Sequence, residues 1–568
     1  MVKYLVRVCF LTGLLAFLTG CSGTKNTVTP YAVVKLDTSF RDMVVTAHPL
    51  ATQAGLNILK AGGNAFDAAV AVEFALAVCY PRAGNLGGGG FMMLYSGKGL
   101  VDMLDYREVA PIASTPAMYQ DRNGNVIKNL SLDGHKACGV PGTVAGMYAL
   151  HEKYGRLPWA QLVQPSIDLA SKGILMTRFQ ADILNESMAV IDSVNTVKNA
   201  FNKHKNWKSG DKVIQADLAA TLTLIRDLGQ KGFYEGKTAQ LIADEMKRGG
   251  GIMTTEDLKS YKPAWRVPVR GFYNNCEVYT TPLPSGGGIS LIEMLNILKN
   301  FPLASYGFQS AKSIHTIVEA ERFAFEDRNK HLGDKDFINF DESLLLNRSY
   351  AKMRADMIDT VKAGKSLHTE SGKPEKEETT HYSIVDVEGN AVSATTTLNG
   401  NFGSKVVIGG AGFFMNNEMD DFSVKPGSPN LYGLVGSKAN EIRPRKKPLS
   451  SMCPVIVVKD KKLYMVLGTP GGSTIPTTNL QIILNVLDYH KSLYEAVQAP
   501  RFHSQWLPDE VYIEQNSFDS SVISRLKAMG HVVTQRKQIG LVEAIMIDHN
   551  GNIIGVADRR GDDHAQGN

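Results

Sequence analysis

The 568-residue chain lacks the usual signatures of metal and nucleotide chemistry. Its six cysteines (Cys9, Cys21, Cys79, Cys138, Cys276 and Cys453) include no CxxC pair, which leaves a zinc or thioredoxin-like site without support. No disulfide is predicted, and Cys79 closes the apolar run Phe74–Cys79 as a small buried hydrophobe. No HExxH or similar spacing occurs, so His381 and His503 are read as structural. The run Gly87–Gly90 follows neither GxGxxG nor GxxxxGKS and is read as packing rather than phosphate binding. An excess of either charge is also missing: 61 Lys+Arg against 56 Asp+Glu leave +5. With no long basic run interleaved with aromatics, nucleic acid is not an expected partner. There is no repeat of fixed period.

What is present begins with an N-terminal apolar run. Lys3 and Arg7 precede Val8–Phe17, which is short for a membrane span of about 20 residues and has the form of a secretory signal. Leu18-Thr19-Gly20-Cys21 resembles a bacterial lipobox. Residues 1–20 are therefore expected to be a lipoprotein signal peptide, with Cys21 lipidated and 21–38 a polar tether. The body of the chain is expected outside the cytoplasm, anchored to a bacterial membrane and facing the periplasm or the cell exterior.

Beyond the tether, Met43–Ala47 reads as a short buried strand, and 48–79 as helices from the spacing of apolar residues. Phe91–Tyr95 and Leu100–Tyr106 form a hairpin pattern across Ser96-Gly97-Lys98-Gly99. From Gly142 to about Lys362 the pattern is mostly helical, with an interruption near Val267–Tyr279. Ser366–Glu378 is polar and charged and reads as a surface segment. Hairpin signatures then recur around Glu388-Gly389-Asn390, Lys459–Lys462 and His549–Asn552, with helices at 478–490 and 493–499. Strands at both ends and helices between them fit an α+β layered domain rather than the three or four domains that length alone suggests.

Thr379 stands where the polar segment meets a strand, in Glu378-Thr379-Thr380-His381-Tyr382-Ser383. A threonine hydroxyl is a weak nucleophile inside a chain. It becomes competent if its own backbone nitrogen is released as an amine, whose ordinary pKa of about 7.7–8.0 lets it take the hydroxyl proton near neutrality. By itself, Thr-Thr before a strand is also what β-propensity produces.

The surrounding motifs decide between these readings. Thr379-Thr-His-Tyr-Ser, Thr397-Leu-Asn399, Asn416-Asn-Glu418-Met-Asp420-Asp421-Phe-Ser, Pro429-Asn-Leu-Tyr432-Gly, Pro448-Leu-Ser450-Ser451-Met and Gly468-Thr-Pro-Gly471-Gly472-Ser occur in this order. Together they resemble the small-subunit region of the γ-glutamyltransferase family. Upstream, Asn85-Leu-Gly-Gly-Gly-Gly-Phe, Asp105-Tyr-Arg107-Glu-Val-Ala-Pro and Gly139-Val-Pro-Gly extend the resemblance, as does Ala499-Pro-Arg-Phe-His503 downstream. It spans nearly the whole chain beyond the tether. Cys453-Pro454-Val455 departs from the family's frequent Ser-Pro-Thr, and Glu418 is glutamine in some members.

The resemblance implies self-cleavage between Glu378 and Thr379, with Thr379 then the nucleophile and Thr397 orienting it. It implies oxyanion donors at Gly471 and Gly472. Arg107 is expected on the substrate α-carboxylate with Ser450 and Ser451 assisting. Asn399, Glu418 and Asp421 are expected on the α-ammonium, and Tyr432 on a lid. The residue types suit a free amino-acid head: a guanidinium for the carboxylate, carboxylates and an amide oxygen for the ammonium. Each also has a plainer reading: Arg107-Glu108 as a surface pair, one of Asp420-Asp421 as a cap, Ser450-Ser451 and Gly471-Gly472 as turns.

The implied fold is the four-layer αββα sandwich of N-terminal-nucleophile hydrolases. A large subunit (39–378) and a small one (379–568), cut from one precursor, would interweave in one domain and remain a heterodimer. The implied activity moves the γ-glutamyl group of glutathione or related compounds to water, amino acids or dipeptides, with no cofactor and no metal. Alternatives on the same scaffold are a cephalosporin-type acylase and a poly-γ-glutamate-processing transpeptidase. A solute-binding lipoprotein is the non-enzymatic alternative, which intact Thr379, Thr397 and Gly471-Gly472 disfavour.

Overall fold

The structure, a computed structural model, describes residues 30–202, 206–366 and 379–568. The expected signal peptide, Cys21 and Glu378 lie outside the described residues.

The strands of the two large sheets, in chain order, begin with β1 (Leu36–Ser39), β2 (Met43–Thr46), β3 (Gly89–Tyr95) and β4 (Val101–Asp105). The middle of the chain adds β5 (Ala264–Arg266), β6 (Val269–Tyr273) and β7 (Cys276–Thr280). After Thr379 come β8 (Thr380–Val385), β9 (Ala391–Thr397), β10 (Val455–Lys459) and β11 (Lys462–Gly468), then β12 (Glu543–Ile547), β13 (Ile553–Ala557) and β14 (His564–Gly567). One seven-stranded sheet has the order β1-β13-β12-β11-β10-β7-β6, and the other β14-β2-β8-β9-β3-β4-β5. Both are antiparallel throughout. Each sheet combines strands from before and after Thr379, so neither part of the chain completes a sheet alone.

Helices cover the outer faces. On the second sheet lie α1 (Pro49–Lys60), α2 (Ala65–Cys79), α3 (Thr143–Tyr154) and α4 (Trp159–Lys172), which share one apolar core with Tyr382, Ile384, Val392 and Ala394. α2 is buried along its whole length, as its near-continuous Ala/Val sequence requires, and Asn64 and Asp67 close its first turn as a capping box. On the first sheet lie α5 (Gly286–Leu298), α6 (Ala311–His331) and α7 (Ile475–Leu487), whose core runs on into the space between the sheets. The result is the αββα sandwich.

The central pair β8 and β9 is buried on both faces. Its polar side chains are satisfied across the sandwich: Ser383 Oγ donates to the Glu543 carbonyl and Ser393 Oγ to that of Leu467. His381 sits between Thr395 Oγ1 (2.9 Å) and Ser383 Oγ (3.2 Å). The expected tether ends early, because Leu36–Ser39 pairs with β13 and Lys35 Nζ donates to the carbonyls of Gly561 and Asp563. The glycine run packs as expected: a Cβ on Gly88 would lie 2.1 Å from the Thr397 carbonyl oxygen, and one on Gly90 2.4 Å from that of Thr395. The described cysteines Cys79, Cys138, Cys276 and Cys453 are free and buried. Among the described residues no helix is long and apolar enough to cross a membrane.

Candidate active site

At one end of the sandwich, where β8 starts and β9 stops, a small cavity is walled by Arg107, Thr379, Thr397, Asn399, Glu418, Asp421 and Tyr432, with Ser450, Ser451, Met452, Gly472 and Ile475. Stretches scattered over more than 300 residues of sequence meet there. Every expected site residue among those described lies on this wall except Gly471, which precedes Gly472 in the chain.

Thr379 is buried at the foot of β8, its Oγ1 3.3 Å from Thr397 Oγ1. The two hydroxyls meet because β8 and β9 pair antiparallel, placing Thr380 opposite Thr396. Thr397 Oγ1 also accepts the Asn399 N–H at 2.8 Å.

Arg107 is fully buried, and this is the opposite of the surface pair its sequence neighbours allow. Its Nη1 donates to Glu418 (2.6 Å) and Nη2 to Asp421 (2.5 Å), while Nε reaches the Pro448 carbonyl at 3.3 Å. Glu108 is 3.6 Å away. Burial alone disfavours the guanidinium, but Glu418, Asp421 and Glu108 outweigh it and hold Arg107 protonated. Burial pushes Glu418 well above the usual carboxylate range, with Glu108 and Asp421 adding to the rise and Arg107 opposing it. Glu108 is pushed up to about 8, first by burial. The cluster is thus three carboxyl groups around one guanidinium, with burial favouring the protonated form of Glu418 and Glu108.

The Asp420-Asp421 pair divides its work. Asp420 accepts from Ser131 Oγ (2.6 Å) and the Leu431 N–H (2.7 Å), fixing the loop, while Asp421 faces Arg107. Ser451 Oγ accepts from Arg328 Nη2 at 2.9 Å. Arg328, on α6, is buried, and burial lowers it to about 10. Sequence reasoning missed it, since Glu326-Asp-Arg-Asn-Lys reads as a solvated helix face. It also missed Met452 and Ile475 as wall residues, because an apolar side chain carries no chemical signal.

Gly471 (φ 141°) and Gly472 (φ 54°) both lie at positive φ and lead through Gly472–Thr474 into α7. Their backbone donors sit at the positive end of that helix. Tyr432 covers Gly472 closely: a Cβ there would meet the tyrosine ring at 2.5 Å. The Tyr432 hydroxyl bonds Asn399 Oδ1 (2.6 Å) and its carbonyl accepts from Gln505 (2.8 Å). His503, which bonds Thr477 and Gln505, and His381 are buried and lowered to about 3 by that burial.

A sequence model of the Gamma-glutamyltranspeptidase family matches residues 51–568. The chain is 46% identical over 523 residues to the "Glutathione hydrolase proenzyme" of Escherichia coli (strain K12), covering 91% of this chain and 90% of that one. Among solved structures it resembles a cephalosporin acylase from Bacillus halodurans (TM-score 0.84, 26% identity, 96% and 99% of the two chains). It also resembles the Helicobacter pylori gamma-glutamyltranspeptidase (TM-score 0.55, 41% identity, 60% of this chain and 100% of that one).

Proposed function

Because the chain belongs to the gamma-glutamyltranspeptidase family, we propose that it cuts itself between Glu378 and Thr379 and uses the freed Thr379 to carry a γ-glutamyl group. The protein is a γ-glutamyltransferase and glutathione hydrolase, made as a proenzyme and acting on glutathione and related γ-glutamyl compounds. The observation that carries the residue assignment is the Thr379–Thr397 hydroxyl pair, at 3.3 Å, in the same cavity as the Arg107–Glu418–Asp421 cluster. One element supplies a nucleophile and the other a receptor for an amino-acid head.

In this reading the substrate's α-carboxylate takes N–H donors of Arg107, with Ser450 and Ser451 assisting. Glu418 and Asp421, released from part of that pairing, accept the α-ammonium together with Asn399. The exchange keeps the buried charges paired, which is what makes it affordable in a desolvated site. Thr379 Oγ1 attacks the γ-carbonyl carbon as its proton passes to the Thr379 amine. The oxyanion forms against the N–H groups of Gly471 and Gly472. It collapses to a γ-glutamyl-threonine ester, and the amine's proton leaves with the departing amino group. Water or the amine of an amino acid or dipeptide then attacks the ester, restoring the Thr379 hydroxyl. Tyr432 closes the cavity from the oxyanion side.

The acylase alternative shares the fold, but a buried Arg with two facing carboxylates is built for a zwitterionic head rather than for an apolar acyl chain. Denaturing electrophoresis tests the cleavage: two fragments are expected, the smaller beginning Thr-Thr-His-Tyr-Ser. A single uncut chain, or another start, overturns it. A product time course from glutathione, with and without a dipeptide acceptor, tests the transfer. The proposed address is a membrane reached through lipid on Cys21. Cys21→Ala should abolish lipid labelling and detergent-phase partitioning, and persistent labelling refutes it.

A further inference from the structure

The helical layer outside the first sheet carries a second group of ligating side chains. α6 presents His315 and Glu319 four residues apart, hence on one face and one turn apart. The turn that follows α8 (Ser520–Ala528) brings His531 against them. One ligand atom from each of the three lies within 4.8 Å of the others. His315 and Glu319 are buried, while His531 is half-buried and opens the cluster to solvent.

The hydrogen bonds set the tautomer. His315 Nε2 is 2.7 Å from the Asp359 carbonyl oxygen. A carbonyl only accepts, so Nε2 carries the proton and Nδ1 of the neutral ring holds a lone pair. That lone pair faces His531 Nε2 at 2.8 Å. A ring whose far N–H is tied to a backbone carbonyl is how a metal-binding histidine is held. Because His315 Nδ1 is the acceptor of that contact, His531 Nε2 is its donor. Glu319 accepts the Gly364 N–H at 3.1 Å and pairs with Arg322. A carboxylate has about four lone-pair sites, which leaves it room for a cation. Asp509 lies close enough to His531 to add negative charge.

We propose that His315, Glu319 and His531 bind a divalent transition metal of the zinc class, with the fourth position open to water. Two imidazoles and one carboxylate are a donor set that zinc accepts. Bonds of about 2.0–2.1 Å place tetrahedral ligand atoms about 3.3 Å apart, so the two rings separate by about half an ångström. His531 moves its proton from Nε2 to Nδ1, and no net proton is released.

The site lies beneath the stretch 359–366, which hangs on it through Asp359 and Gly364 and on neighbouring groups through Ala363 N–H to the Met529 carbonyl and Ser366 N–H to Asp509. If the cut before Thr379 occurs as proposed above, this stretch belongs to the fragment that precedes the cut, and the metal fastens it there. That consequence rests on the cleavage reading; the site itself does not.

The test uses untagged protein stripped with a chelator and dialysed against Zn²⁺ or Co²⁺ alone. One tightly held equivalent per chain is expected, with the strong visible bands of tetrahedral cobalt and no thiolate charge-transfer band. Both signals should vanish in Glu319→Gln and in His531→Ala and persist in His549→Ala, which alters an exposed histidine. Absence of a stoichiometric metal in the wild type, or binding undiminished in both site variants, overturns the proposal. The wild-type cobalt spectrum decides even if a variant fails to fold, and turnover is not needed for the readout.

Discussion

Thr397 Oγ1 lies 3.3 Å from Thr379 Oγ1 and accepts the Asn399 N–H at 2.8 Å. The donor from Asn399 fixes one side of the Thr397 hydroxyl as an acceptor and so holds it in place beside Thr379. Thr397→Val removes the hydroxyl at nearly constant shape. A buried hydrogen bond lost in this way costs about 1–3 kcal/mol, or roughly fivefold to 150-fold in rate. Both self-cleavage, followed on a gel, and kcat of the mature form should slow by that factor, and Thr397→Ser should recover most of it. Wild-type rates in Thr397→Val would remove the orienting role.

Arg107 is shared by Glu418 and Asp421, so its loss has two consequences that can be separated. Arg107→Ala takes the cation from buried carboxylates, a change that costs about 3–5 kcal/mol when one partner of a buried pair is removed. It should lower Tm and reduce kcat/KM for a γ-glutamyl donor by at least about a hundredfold. Arg107→Lys should fall between, because an ammonium keeps the charge but lacks the planar fork of donors that meets Glu418 and Asp421 from separate nitrogens. Adding Glu418→Gln to Arg107→Ala should restore Tm without restoring kcat/KM. If kcat/KM recovers together with Tm, Arg107 acts only in folding.

Gly472 holds φ 54° with the Tyr432 ring where a side chain would be. Gly472→Ala should therefore push Tyr432 off the proposed oxyanion side as well as straining the backbone. Loss of one oxyanion donor typically costs about 10²–10³ in kcat. The steric part should be relieved in Gly472→Ala/Tyr432→Ala, giving a non-additive double-mutant cycle. Strict additivity would mean that the ring and the glycine do not contend for the same space.

Much of this was readable in the sequence. The hairpins after Thr379 are marked by turn residues between β-branched runs, and β8–β9, β10–β11 and β12–β13 form where those runs fall. Arg107, Glu418, Asp421 and Tyr432 were legible only through motif resemblance, because their meeting depends on loops that no local periodicity encodes. Arg328 escaped since a buried arginine on an amphipathic helix looks like an exposed one until the packing is known. The His315–His531 contact spans 216 positions and has no spacing rule to announce it. The end of the tether was misjudged because Leu36–Ser39 is a short, half-exposed edge strand with little apolar pattern.

The pH dependence of turnover should report the Thr379 amine and no histidine. In the proposed step the free base of that amine takes the hydroxyl proton, so kcat/KM rises with pH through the amine's pKa. The ordinary value is about 7.7–8.0. Burial of Thr379 lowers it by disfavouring the ammonium, whereas Glu418 and Asp421 across the same cavity raise it. An acidic limb between roughly pH 6 and 8.5 is expected. His381 and His503 cannot supply that limb, because burial holds both at about 3 and each is already neutral across it. Their ring nitrogens are also committed to Thr395 and Ser383, and to Thr477 and Gln505. His381→Asn and His503→Asn should lose stability through these hydrogen bonds, yet every variant that still cuts itself should keep the limb where the wild type has it. If a mature variant of either histidine loses the limb, the base is an imidazole and the amine mechanism fails.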